Sequence, residues 1–156
     1  MTTTNRFFGP VALLSFLLAS AGPLAAAETK VSFLNSGKVL PNNLPFSEAV
    51  RVGDTLYLSG MIGVEPGVMK LVSGGLKAEA KQTMDNIKRV LELHGYAMTD
   101  VVKCTVMLAD MSEWGAFNDI YRTYFAERYP ARSALGASGL ALGARVEVEC
   151  IAVKSK

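Results

Sequence analysis

Hydrophobic and polar positions along the chain follow two different periods, and these periods locate most of the secondary structure. Residues 49–52 and 55–59 read as two short strands joined by a turn at Gly53, which predicts a β-hairpin. Residues 76–94 repeat apolar side chains at helical spacing and are followed by Gly95, a residue typical of helix C-terminal ends. The pattern therefore predicts a hairpin and then a long amphipathic helix.

The second half of the chain repeats this change of period. Residues 100–110 are rich in β-branched side chains and are expected to form a strand. A second helix should follow, with Asp110 or Ser112 as its cap. Its apolar face carries Trp114, Phe117, Tyr121, Tyr124 and Phe125. Two further strands are expected at 131–138 and 145–153, with a glycine-containing turn between them.

This order of elements predicts an α+β fold in which two helices pack on one face of a mixed sheet. Alternate positions of the last strand carry two different kinds of residue, which would point to opposite faces of the sheet. Val146 and Val148 would face the helices, whereas Arg145, Glu147, Glu149 and Ile151 would line the other face. Because that face mixes charged and aliphatic residues, it suits a subunit interface better than open water, and we expect a homo-oligomer.

The first 27 residues have the organisation of a secretory signal peptide. Arg6 precedes an apolar segment at 11–18, and small residues end at Ala27, where we expect cleavage before Glu28. An uncleaved anchor is the alternative, although the apolar segment is short for a membrane span. Residues 28–156 are then expected to form one exported domain, periplasmic or secreted, without stable membrane association.

Charge limits the kinds of binding partner, and cysteine content limits the possible covalent bonds. Residues 1–27 contain one cation and no acid, so their removal lowers the net charge from +2 to +1. Without a basic cluster, no nucleic-acid partner is expected. Cys104 and Cys150 share the apolar parity of their strands, so buried free thiols are the simpler interpretation, while an exported chain would also permit a disulfide.

The usual catalytic sets are missing from the sequence. The chain has one histidine, His94, which we interpret as a helix-end residue, and no phosphate loop or metal-ligand spacing. Arg132 can present its planar fork to a carboxylate ligand, or it can form a structural ion pair with Glu147 or Glu149. A carboxylate in a poorly solvated pocket has a raised pKa that suits proton transfer.

Several segments resemble the Rid (YjgF, reactive intermediate deaminase) family from about residue 33 to residue 153. They are "LPFSEAV", "LYLSGMIG", "LVSGGLKAEAKQTMDNIKRVLELHG", "VVKCTVMLADM", "FNDIYRTYF" and "YPARS" followed by "VEVECIAV". The resemblance implies a chorismate-mutase-like fold, a homotrimer with clefts between subunits, and no metal or organic cofactor.

The resemblance also implies a reaction and a set of site residues. Arg132 would bind the carboxylate of a 2-imino or 2-enamino acid, and Glu147 would position or activate water, the two residues facing one cleft. The product would be a 2-oxo acid and ammonia. Ser59, Asn118, Phe46 and Ala134 would line the cleft and bind substrate, and Tyr121 is expected to pack in the core.

The chain also departs from the family pattern. Phe46 stands where many deaminases carry tyrosine, Ala134 where many carry cysteine, and Met61 where glutamine is frequent. These differences imply a more apolar cleft. Two functions are therefore considered: an exported imine deaminase, and a binding protein that uses the same arginine for a carboxylate without hydrolysis.

Overall fold

The computed structural model describes residue 1 and residues 28–155, so residues 2–27 of the predicted signal peptide lie outside the described part. Within residues 28–155 the strands are β1 (Val31–Leu34), β2 (Ala49–Val52), β3 (Thr55–Leu58), β4 (Met61–Ile62), β5 (Val101–Leu108), β6 (Ala131–Gly136) and β7 (Val146–Val153). The two α-helices are α1 (Gly75–Leu93) and α2 (Trp114–Tyr121). Short strands β1 and β4 were not predicted, and β4 has only two residues, too few to show a period.

The strands form one mixed sheet in the order β1-β2-β3-β7-β5-β6, with β4 also paired to β7. Only β5 and β6 are parallel. This confirms the predicted α+β fold, and β6 is an edge strand whose residues are mostly exposed.

The helices cover one face of the sheet. Helix α1 packs against β4, β7 and α2, and its face toward the sheet buries Met84, Ile87 and Leu91 completely. Asn86 fixes this contact, because its side-chain amide donates to the carbonyl oxygens of Ile62 and Val64. Helix α2 ends at Tyr121, earlier than its apolar pattern suggested, since residues 122–124 turn into a 3-10 helix.

Cys104 and Cys150 are joined in a disulfide, so the simpler interpretation of free thiols is wrong. The two residues face each other directly across β5 and β7, with their Cα atoms 4.1 Å apart. Parity showed that both were buried, but the register between two strands 46 residues apart could not be read from the sequence.

His94 lies at the C-terminal end of α1, as predicted, and also reaches a buried carboxylate. Its Nε2 is 3.0 Å from Oε1 of Glu48, whose Oε2 accepts hydrogen bonds from the Ser36 hydroxyl and the Leu40 amide. These contacts attach the segment before β2 to the end of α1.

Candidate functional site

Arg132 lines an open pocket of about 430 Å³ beside the edge strand β6. The other lining residues are Asn118, Tyr121, Arg122, Tyr129 and Pro130. Arg132 is directly opposite Cys104 of β5, whose side chain points toward the helices, so the arginine lies on the helix-covered face. The structure thus brings the predicted residues Arg132 and Asn118 together.

The Arg132 guanidinium contacts aromatic rings instead of a carboxylate. Its Cζ lies over the rings of Trp114 and Tyr121, 4.4 and 4.5 Å from their centroids. Within residues 28–155, no acidic group comes within ion-pairing distance of Arg132. The structural ion pair considered for this residue is therefore absent from the described chain.

Arg145, which was expected to line the uncovered face of the sheet, forms an ion pair with Glu113, the residue directly before α2. Its guanidinium donates from Nε to both carboxylate oxygens of Glu113, at 3.0 and 2.8 Å, and from Nη2 to one of them. The Arg145 amide also donates to the buried carboxylate of Glu79. These bonds fix the start of β7, the strand that carries Glu147.

Glu147 lies on the opposite face of the sheet, where it is half-buried. Burial, together with the charge of neighbouring Glu149, raises the pKa of the Glu147 carboxyl. Its carboxylate is next to Gly60, where an added Cβ would overlap Oε1. A carboxyl with a raised pKa beside bare backbone is suited to taking and returning a proton.

Ser59 directly precedes Gly60 in the chain, and a hydrogen bond connects it to Ser47, the residue after Phe46. The Ser59 hydroxyl donates to the carbonyl oxygen of Ser47, at 2.7 Å, so its oxygen remains available as an acceptor. Phe46 directly precedes Ser47, and its side chain is half-exposed. Ala134, by contrast, lies on β6 opposite Val106 and is exposed on the same face as Arg132.

The predicted residues therefore form two groups, and Arg132 and Glu147 do not meet within one chain. Their partners on β5 are Cys104 and Met107, three positions apart, so the two side chains project from opposite faces. The expectation of one cleft shared by Arg132 and Glu147 is not met inside a single chain. Strand order and register decide this, and neither was visible in the sequence.

Two residues that contact the predicted site residues were not predicted from the sequence. Gly60 makes room for the Glu147 carboxylate, and the only signal for it was a glycine at a strand end. Trp114 contacts Arg132, although its helical spacing indicated only an apolar face. Tyr121 is buried and packs between Phe117 and Phe125 as expected, but it contacts the guanidinium as well.

Within residues 28–155, no group of three or more His, Cys, Asp or Glu residues could hold a metal ion. None of the helices described is long and apolar enough to cross a membrane.

The fold and the pocket together define a small α+β protein with an arginine that borders an open pocket at a sheet edge. A family model described as Endoribonuclease L-PSP matches residues 38–154. The chain belongs to this family, which is the Rid/YjgF family that the sequence resembles.

Named relatives and solved structures agree with this assignment. A mouse 2-iminobutanoate/2-iminopropanoate deaminase is 46% identical over 110 residues, covering 70% of this chain and 82% of the mouse protein. The human protein of the same name is 44% identical over 110 residues and covers 70% and 80%. The crystal structure of RidA from an Antarctic Psychrobacter has a TM-score of 0.74 at 36% identity, covering 79% of this chain and 99% of that chain. The YjgF gene product of E. coli has a TM-score of 0.74 at 28% identity and covers 80% and 99%.

Proposed function

We propose that this protein is an exported deaminase that hydrolyses 2-imino and 2-enamino acids to 2-oxo acids and ammonia. The observation that carries the proposal is the Arg132 guanidinium, which borders a pocket and has no acidic partner in residues 28–155. A partly buried guanidinium without a counter-ion favours an anionic ligand, and its fork matches a carboxylate in bidentate geometry. The deaminase names of relatives at 44–46% identity support the same reaction.

The chemistry needs little more than orientation and one proton-transfer group. Water adds its oxygen to the imine carbon, and the nitrogen takes up protons as the tetrahedral carbinolamine forms and collapses. The C–N bond breaks, ammonia leaves, and the carbonyl of the 2-oxo acid remains. Glu147, with its raised pKa, would take a proton from the water and return it to the nitrogen.

This mechanism requires a second copy of the chain, and we propose the homotrimer with clefts between subunits. Arg132 and Glu147 project from opposite faces of one sheet, so one cleft can contain both only if they come from different copies. The uncovered face of the sheet exposes Phe33, Tyr57 and Leu135, which supports burial against another copy.

Export is the remaining part of the proposal. The pattern of residues 1–27 supports it, and so does the Cys104–Cys150 disulfide, because disulfides persist mainly in oxidising compartments. N-terminal sequencing of protein recovered outside the cytoplasm should begin at Glu28. A chain that keeps residues 1–27 there would favour the uncleaved anchor.

The activity is tested by trapping kinetics. An amino-acid oxidase supplies the 2-imino acid, and semicarbazide competes for it, so a deaminase lowers the yield of semicarbazone. Arg132→Ala should lose most of the acceleration, and Arg132→Lys should recover only part of it because lysine keeps the charge without the fork. Equal trapping with and without the protein would exclude the deaminase. If 2-oxo acids still bound to Arg132, the carboxylate-binding protein would remain.

A further inference from the structure

Three side chains of α2 project toward Arg132 from one stripe of the helix. Trp114, Asn118 and Tyr121 are spaced four and three residues apart, which places them on the same face. The stripe is anchored, because Phe117 is fully buried and its ring packs 6.1 Å from that of Trp114 and 5.6 Å from that of Tyr121. The rings therefore form a fixed support for the arginine.

The contacts of Arg132 leave the edge of its guanidinium free. Its Cζ lies over both rings, at 4.4 and 4.5 Å from the centroids, and a guanidinium that stacks on an aromatic ring turns its planar face to that ring. The N–H donors of a guanidinium point outward in its plane. With its faces against aromatic carbon, the group can offer hydrogen bonds only along that edge.

Neither ring neutralises the arginine. Trp114 has no ionisable group, and burial raises the pKa of Tyr121 to about 12, against the opposing effect of the Arg132 charge. The phenol consequently stays protonated, and its buried oxygen has no hydrogen-bond partner among residues 28–155. The full positive charge of Arg132 is left for a ligand.

We propose that Trp114 and Tyr121 are positioning residues that hold the Arg132 guanidinium by its faces and make the pocket selective for imines bearing a planar carboxylate next to the C=N group. The proposal rests on the proposed function, because the ligand of Arg132 is taken to be the substrate carboxylate. The selectivity follows from geometry: a coplanar carboxylate accepts two parallel hydrogen bonds from the free edge. An uncharged amide offers one acceptor and a donor that meets another donor.

Trp114 is the only tryptophan of the chain, which permits a test that changes electronics without changing shape. Mono-, di- and trifluorotryptophan can replace it throughout the intact protein, and each fluorine weakens the attraction of the ring for a cation. Calorimetry should show the Kd of 2-oxobutanoate rising stepwise, roughly three- to tenfold over the series. The Kd of 2-oxobutanamide should be weak throughout and change little.

Steady-state kinetics provides a second test of the proposal. Trp114→Phe keeps a ring face that attracts a cation less strongly than tryptophan does, so it should raise KM less than Trp114→Met does. Trp114→Met should raise KM about tenfold with a smaller change in kcat, since the carboxylate is bound equally in the ground and transition states.

The outcomes separate the two proposals. A Kd of 2-oxobutanoate that stays constant along the fluorotryptophan series, together with loss of binding in Arg132→Ala, would overturn the role of the rings. The arginine would then remain as the carboxylate site. An equal rise of KM in Trp114→Phe and Trp114→Met would also overturn the role of the rings, because it would indicate that Trp114 has only a packing role. If Arg132→Ala itself left binding and hydrolysis unchanged, the proposed function would fail first.

Discussion

Gly60 and Glu147 are in direct contact beside the pairing of β4 with β7, and the Glu147 carboxylate fills the space that any side chain at position 60 would need. The atom that would be struck is the end of a flexible side chain, so the fold can absorb the change by rotating the glutamate away. Position 60 therefore controls where the carboxylate points and has little influence on whether the chain folds.

Gly60→Ala should lower kcat at least about tenfold, because it removes a positioned proton-transfer group, while the unfolding temperature changes little. Steady-state kinetics and thermal unfolding by circular dichroism measure the two effects. Gly115→Ala is the matched control, since an added Cβ there meets no atom within 4 Å. Normal kcat in Gly60→Ala would mean that the observed direction of Glu147 is not needed for the reaction.

The raised pKa of Glu147 makes a prediction about stability. In the unfolded chain this carboxyl has its ordinary value of 4.5, so the folded protein binds more protons than the unfolded chain just above pH 4.5. Stability is therefore lost as the pH rises from 4.5 through the raised value. Glu147→Gln, which cannot ionise, should match the wild type in unfolding temperature near pH 4 and exceed it at pH 8. A variant less stable than the wild type at pH 8 would contradict the cause given for the shift.

Glu149 offers a way to move the same pKa without altering Glu147. Its charge is one of the two causes of the shift, after burial. Glu149→Gln should lower the pKa of Glu147 and move the acidic limb of the profile of kcat/KM against pH to lower pH. Glu92→Gln, at the end of α1, is the control and should leave the limb in place. An unmoved limb in Glu149→Gln would show that another group sets it.

The disulfide should account for a substantial part of the stability. It closes a loop of 46 residues, for which the chain-entropy model gives up to about 4 kcal/mol at 25 °C. Unfolding in urea should show a loss of about 2 to 4 kcal/mol for Cys104→Ala/Cys150→Ala relative to the oxidised wild type. Reductant should lower the unfolding free energy of the wild type and leave that of the double variant unchanged. Two reactive thiols in denatured protein that was never reduced would disprove the bond.

Local patterns predicted the parts of this fold that depend on local physics. The spacing of Met84, Ile87 and Leu91 fixed α1, and the alternation along β7 separated buried Val148 from half-buried Glu147. The resemblance then implied Arg132 and Glu147 as site residues, and this stays a prediction. What could not be predicted depends on pairing between distant strands: the Cys104–Cys150 bond and the projection of the two charged residues from opposite faces.

The contact of Arg132 with Trp114 and Tyr121 escaped prediction for a related reason. Aromatic residues at helical spacing are typical of a core, and the sequence does not show which strand residue lies over them. Parallel pairing of β5 with β6 places Arg132 on the same face as α2, and the contact follows from that pairing.

The opposite projection of Arg132 and Glu147 gives the sharpest test of the proposed assembly. If each cleft takes its arginine from one copy and its glutamate from the next, Arg132→Ala and Glu147→Gln should both be inactive alone and complement each other when mixed. In trimers formed at random from equal amounts, about a quarter of the clefts would combine an intact Arg132 with an intact Glu147. Co-expression, followed by light scattering and the trapping assay, should thus recover about a quarter of wild-type activity. The control is the Arg132→Ala/Glu147→Gln double variant mixed with wild type, in which about a quarter of the clefts stay complete if each cleft is shared between copies and about half if both residues act from the same copy. Stable trimers without recovered activity would show that both residues act from the same copy, and a stable monomer would remove the shared cleft altogether.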